Sequence, residues 1–161
     1  SLSKAHNMAG WRIGMVAADA EIIYQILKVK SQMDSGMFKP LQLAAVKALE
    51  QGSGWFTELN DEYRRRRVLA GAIFDMLGVE YDHSSAGMFL WGKVPQDVQA
   101  TEEISIGQVL SDRILYDAGV FITPGFIFGK NGEDYIRISL CAKPETLREA
   151  AERIRQAGIN R

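Results

Sequence analysis

The chain has 161 residues, 47% of them hydrophobic and 24% charged, with a net charge of -1. That is core material for one globular domain or one and a half small ones, and it gives no argument for nucleic acid or an anionic membrane as partner. The one cysteine, Cys141, excludes an intrachain disulfide and a multi-cysteine metal site, leaves a reducing compartment as the default, and accompanies a sequence in which no apolar run approaches the roughly 20 residues that span a bilayer.

Residues 11–18 read as a strand, with glycines at Gly10 and Gly14. Residues 21–33 read as a helix with Ile22, Ile23, Ile26, Leu27 and Met33 toward one side. Asp34-Ser35-Gly36 breaks it. Pro40 suits an early helical position, and an Ala/Leu-rich helix over 41–50 follows, ending near Gly52. The longest helical pattern covers 55–77, with Trp55, Leu59, Tyr63, Leu69, Ile73 and Met76 or Leu77 as its apolar positions and Gly78 as its stop. Four arginines at 64–67 lie in its middle. They wrap a full turn and so form no single basic face. Asp61 and Glu62 precede Arg65 and Arg66 by four, the favourable order for helix ion pairs.

After Gly78 the pattern shortens. Strands are predicted at 88–94, at 120–123 before Pro124-Gly125, and at 135–140. A helix over 103–117 carries Ile106, Val109, Leu110 and Ile114. A last amphipathic helix starts at Pro144, carries Leu147, Ala151 and Ile154, and stops at Gly158. The expected boundary falls inside the long helix, giving residues 1–67 and a small α/β unit over 68–161.

Three side chains stand out chemically. Alternation in 135–140 puts Ile136, Ile138 and Leu140 on a core face and Tyr135, Arg137 and Ser139 on the other. An arginine in mid-strand needs a planar partner: a carboxylate ligand, an internal Asp or Glu, or else the solvent at an exposed edge. Arg12 sits between two glycines that permit close approach of a ligand or of backbone, or it is a surface residue. Lys4 lies in an irregular stretch with hydroxyls at Ser1 and Ser3. An uncharged lysine amine attacks a carbonyl to form a Schiff base, although a lone lysine is ordinarily a solvated one. His6 and His83 have no cysteine or carboxylate cluster beside them and point to no metal site. Cys141 is expected to be a small buried hydrophobe.

The combination is more specific. Ser1-Leu-Ser3-Lys4 followed by Gly10-Trp11-Arg12-Ile13-Gly14 resembles the cofactor-lysine motif of the fold-type-I, pyridoxal-phosphate-dependent aminotransferases of class I and II. Gly119-Val-Phe-Ile-Thr-Pro124-Gly125, then Phe128-Gly129, then Tyr135-Ile-Arg137-Ile-Ser-Leu resembles the C-terminal signature of the same family. The resemblance implies an α/β fold made of the end of the large pyridoxal-phosphate-binding domain, a long linking helix and a small α/β C-terminal domain. It assigns Lys4 to the Schiff base with pyridoxal 5'-phosphate and to proton transfer at the substrate α-carbon. It assigns Ser1, Ser3 and Arg12 to the cofactor phosphate, and Arg137 to the substrate α-carboxylate. The stretch from Lys28 to Phe38 is similar to aspartate and LL-diaminopimelate aminotransferases, with Ser35 and Phe38 as candidates near a neighbouring subunit's site.

The resemblance further implies an amino acid and a 2-oxo acid as substrates, a cytoplasmic homodimer, and no nucleic-acid or membrane partner. A carbon–sulfur lyase, or the ligand-sensing domain of a transcription regulator, keeps the same fold. The family's pyridine-pairing aspartate, ring-stacking aromatic and further phosphate contacts precede the lysine and have no match in this chain. The chain therefore resembles a C-terminal part and is expected to be inactive alone. The strand expected at 11–18 would leave unpaired edges and favour self-association.

Overall fold

The computed structural model describes residues 1–101 and 103–159. The chain divides into two compact units, Ser1–Leu59 and Asn60–Arg161. Among the described residues no helix is long and apolar enough to cross a membrane.

The first unit is helical. A four-residue helix α1 (Leu2–Ala5) begins it, and a 3₁₀ turn covers Ala9–Trp11. Helix α2 (Ala20–Met33) starts where Asp19 accepts the Glu21 backbone N–H at 3.0 Å. Helix α3 (Lys39–Leu49) carries Pro40 in its first turn, where a missing N–H costs nothing. The apolar side expected on α2 forms, but Ile22, Ile26, Leu27 and Met33 are exposed.

The strand expected at 11–18 does not form. Residues 9–11 make the 3₁₀ turn, Arg12 turns left-handed at φ 51°, and residues 13–19 carry no regular structure. A strand exists only through ladder bonds to a neighbour, and no described segment supplies one here. The edge-pairing argument for self-association falls with it.

Helix α4 (Ser53–Leu77) runs from the first unit into the second. The second unit then adds β1 (Glu80–Tyr81), β2 (Phe89–Lys93), α5 (Ile106–Ala118), β3 (Thr123–Pro124), β4 (Tyr135–Ser139) and α6 (Pro144–Gln156). The strands make one antiparallel sheet in the order β1-β2-β4-β3. One sheet face, carrying Leu90, Ile136 and Ile138, is buried in a core with Ile73 and Phe74 of α4, Ile114 of α5 and Ile154 of α6. Gly92 permits this closeness, because a Cβ there would lie 2.8 Å from Phe74 Cε2.

The strand expected at 120–123 is displaced to Thr123–Pro124. Gly119 ends α5 in the left-handed conformation, and the Ile122 carbonyl is taken by the buried Ser111 hydroxyl. The expected start of α5 at 103 also moves, to Ile106, because Ser105 accepts the Gln108 N–H at 3.4 Å and caps the helix there.

The arginine run is structural. Asp61 pairs with Arg64 at 2.5 Å rather than with Arg65, while Glu62 takes both Arg65 at 3.0 Å and Arg66 at 2.7 Å. Arg66 Nη1 also donates to the Leu140 carbonyl at 3.1 Å, and Arg67 Nη2 to the Gly87 carbonyl at 2.8 Å. Two of the four arginines therefore tie α4 to the ends of β4 and β2.

Two outcomes follow. Ile136→Ala empties a fully buried position on the central strand and should cost about 2–5 kcal/mol in chemical denaturation. Hydrogen bonds from Arg66 and Arg65 hold the Glu62 carboxyl below its ordinary 4.5. A depressed folded value means that the stabilisation is full above 4.5 and is lost as pH falls through the lower folded value. Acid titration of thermal stability should show this loss, and Glu62→Gln should flatten it.

Candidate functional site

In the first unit the turn bearing Lys4 is short and held at several points. Ser1 is the cap of α1, and its Oγ accepts the Ser3 backbone N–H at 3.2 Å and donates to Ser3 Oγ at 2.9 Å. The Leu2 N–H reaches the Ile13 carbonyl at 3.4 Å, which sets the 1–4 segment beside the segment following Arg12. Gly14 packs against Ser1, whose Cα would lie 3.4 Å from a Cβ added at Gly14. Gly10 meets nothing, so only one of the two glycines serves close approach. The first turn of α4 braces the other end of the turn: Trp55 Nε1 donates to the Ala5 carbonyl at 3.4 Å, and Phe56 meets the His6 ring edge-on at 5.4 Å.

Lys4 is exposed, and among the described residues its Nζ makes no hydrogen bond or ion pair. Arg12 holds the Ala9 carbonyl through Nη1 at 2.9 Å. Two hydroxyls, a guanidinium and an amine thus lie in one short stretch of one unit; the hydroxyls touch each other, and among the described residues neither Lys4 Nζ nor the Arg12 guanidinium hydrogen-bonds to them. Their chemistry fits a group carrying a phosphate dianion and an aldehyde: hydroxyl and guanidinium donors for the first, an amine for the second. Ser35 and Phe38 sit in the exposed connection between α2 and α3. A cavity of about 350 Å3 in this unit is lined by Ser1, Ile13, Gly14, Met37, Ala45 and Leu49.

Arg137 belongs to the second unit, on β4 between β2 and β3. Two of the partners expected for it are absent. Its strand is central rather than an exposed edge, and among the described residues no Asp or Glu pairs with it. Its Nε is buried and has no hydrogen-bond partner. A buried guanidinium N–H without an acceptor is costly, which marks Arg137 as a side chain whose internal hydrogen bonding does not account for its position. Arg137 also lines a cavity of about 500 Å3 with Thr123, Ser139, Ala142, Thr146 and Arg153.

Aromatic rings supply what the acids do not. The Arg137 Cζ lies 4.2 Å from the ring centroid of Phe89 and 4.2 Å from that of Phe128. Trp91, directly across from Arg137 in the β2–β4 register, stacks on Tyr135 at 5.3 Å and meets Phe128 edge-on at 5.7 Å. The 3₁₀ turn Gly125–Phe128 delivers Phe128. Gly125 lets that turn lie against β4, since a Cβ there would come within 2.7 Å of the Tyr135 carbonyl and 2.9 Å of Trp91. Sequence reasoning gave no role to Phe89 or Phe128. Phe128-Gly129 stood in the motif, but only the sheet register and the turn bring both rings to Arg137.

Cys141 is exposed, contrary to expectation. It lies just beyond the end of β4, where the alternation that buries Leu140 turns the next side chain outward.

The family model for aminotransferase class I and II matches residues 1–154. The chain belongs to this family. It is 39% identical over 154 residues to LL-diaminopimelate aminotransferase of Oleidesulfovibrio alaskensis, covering 96% of this chain and 38% of that protein. It is also 39% identical to the enzyme of the same name from Aquifex aeolicus over 155 residues, again 96% of this chain and 38% of that protein. Among solved structures it superposes on substrate-bound BacF of Bacillus subtilis with a TM-score of 0.84 and 32% identity, covering 97% of this chain and 38% of that one. The aromatic aminotransferase of Pyrococcus horikoshii gives 0.82 and 31%, covering 98% and 42%. The chain thus spans less than half the length of these relatives, and its α/β architecture is that of a part of a fold-type-I aminotransferase.

A Cβ at Gly125 would strike backbone on two sides, so Gly125→Ala should lift the turn and cost about 1–3 kcal/mol. Near-ultraviolet circular dichroism should show a weakened Trp91–Tyr135 signal before the sheet itself is lost.

Proposed function

We propose that the full-length protein is a pyridoxal-phosphate-dependent aminotransferase that moves an amino group from an α-amino acid to a 2-oxo acid. The observation that carries this reading is Arg137: a buried, unpartnered Nε on a central strand, in a chain of the aminotransferase family. A guanidinium edge free of internal acids accepts a carboxylate as a two-pronged fork, which fixes the substrate's rotation about its Cα.

Pyridoxal phosphate, when bound, supplies an aldehyde for the amino group and a ring that accepts the electron pair left on Cα. The chain's own residues do the rest. Lys4 would hold such a group through its aldehyde, and its Nζ would take and return the proton at the substrate Cα. The Ser1 and Ser3 hydroxyls and the Arg12 guanidinium would hold its phosphate. Arg137 binds the α-carboxylate.

The division into residues 1–67 and 68–161 belongs to this reading, as do a cytoplasmic location and a homodimer. Support for a covering surface comes from exposed Ile22, Leu27, Met33 and Phe38 on α2 and the connection after it. The 161-residue chain by itself is inactive on this reading, in keeping with the 38% of the relatives that it spans.

Borohydride reduction of the full-length protein with pyridoxal phosphate should place the label on Lys4, and Lys4→Ala should abolish it. Amino transfer from a panel of the common amino acids and LL-diaminopimelate to 2-oxoglutarate should then be lost by at least about a thousandfold in Lys4→Ala. Labelling that is unchanged in Lys4→Ala, or ammonia and pyruvate formed in place of a new amino acid, would overturn the reading.

A further inference from the structure

Arg137 is held in place without spending its hydrogen bonds. An arginine on a strand is normally fixed by an acid or a carbonyl, and each such partner occupies N–H groups that a ligand would need. Among the described residues Arg137 has neither, yet its guanidinium carbon lies 4.2 Å from two ring centroids at once. Ring faces attract the cation through their quadrupole and accept none of its N–H bonds in the plane. The fork is therefore anchored while its donors stay free.

The two rings come from different elements. Phe89 is on β2, diagonal to Arg137 in the register and on the same sheet face. Phe128 ends the 3₁₀ turn that Gly125 lets down onto the sheet. Both rings are partly exposed, 37% for Phe89 and 51% for Phe128, although phenylalanine is ordinarily among the most buried residues. Both rings thus stand beside a guanidinium that no acid or carbonyl meets among the described residues.

We propose that Phe89 and Phe128 are positioning residues that orient the Arg137 guanidinium for the substrate carboxylate. This rests on the reading of Arg137 as the carboxylate fork. The rings act on binding and alignment, not on proton transfer, so their loss shows mainly in KM.

The test uses the full-length enzyme loaded with pyridoxal phosphate and the best donor from the amino-acid panel. Phe128→Leu and Phe89→Leu should each raise KM about three- to tenfold with kcat within about twofold, and the double variant should raise it further. Phe128→Tyr and Phe89→Tyr keep a ring face and should restore KM to within about twofold. Isothermal titration with the matching 2-methyl amino acid, which has no Cα proton to lose, should show the same weakening without turnover. Partial exposure of both rings means that the leucine variants open no core cavity, and the tyrosine variants control for any loss of packing. Arg137→Lys separates the two ideas. If it raises KM at least a hundredfold while the leucine variants change nothing, the fork stands and the ring clamp is overturned. If Arg137→Lys leaves KM unchanged, the reading of Arg137 itself fails. If leucine and tyrosine variants weaken binding equally, the rings only pack, and the clamp is again overturned.

Discussion

Strand β4 has to serve two opposed environments within five residues. On one face Ile136 and Ile138 lie in the core of the second unit. On the other, Arg137 carries a charge with no acid to meet it among the described residues. The apolar face fixes the strand's register, and the register fixes where the guanidinium sits. Most other features of this unit serve that placement: helices α4, α5 and α6 fill the core behind the sheet, Gly92 lets α4 close on it, and Gly125 lets an aromatic turn lie on its front.

The four consecutive arginines show how charge is used elsewhere in the chain. Arg64 and Arg65 make exposed helix pairs of small worth. Arg66 and Arg67 reach backbone carbonyls at Leu140 and Gly87, so a run that looks like a basic patch works as two structural ties. Arg137 contrasts with all four, because neither an acid nor a carbonyl meets it among the described residues. Arg12 is intermediate, holding one backbone carbonyl beside a hydroxyl-rich turn.

Periodicity made much of the second unit legible. The alternation of Ile136, Ile138 and Leu140 against Arg137 and Ser139 is a period of two and needs no tertiary information. The ends of α2, α4 and α6 were marked by Asp34, Gly78 and Pro144. The segment 11–18 carries a β pattern yet forms no strand, because a pattern states a propensity, whereas a strand needs a partner for its backbone groups. Displacement of β3 to Thr123–Pro124 goes with the Ser111 hydroxyl, eleven residues before Ile122, taking the Ile122 carbonyl. Of the proposed site, Arg137 and Lys4 are legible as chemistry and as motif. Phe89 and Phe128 were not, since they lie 48 and 9 residues from Arg137 and meet it only through sheet register and a glycine-permitted turn.

The central claim is that the free edge of Arg137 receives the substrate's α-carboxylate. The most direct measurement is a crystal structure of the full-length, cofactor-loaded protein with a bound 2-methyl amino acid. The account predicts both carboxylate oxygens within hydrogen-bond distance of the Arg137 guanidinium, with Phe89 and Phe128 still over its carbon. A carboxylate bound elsewhere, with Arg137 paired to an acid from the rest of the protein, would contradict it.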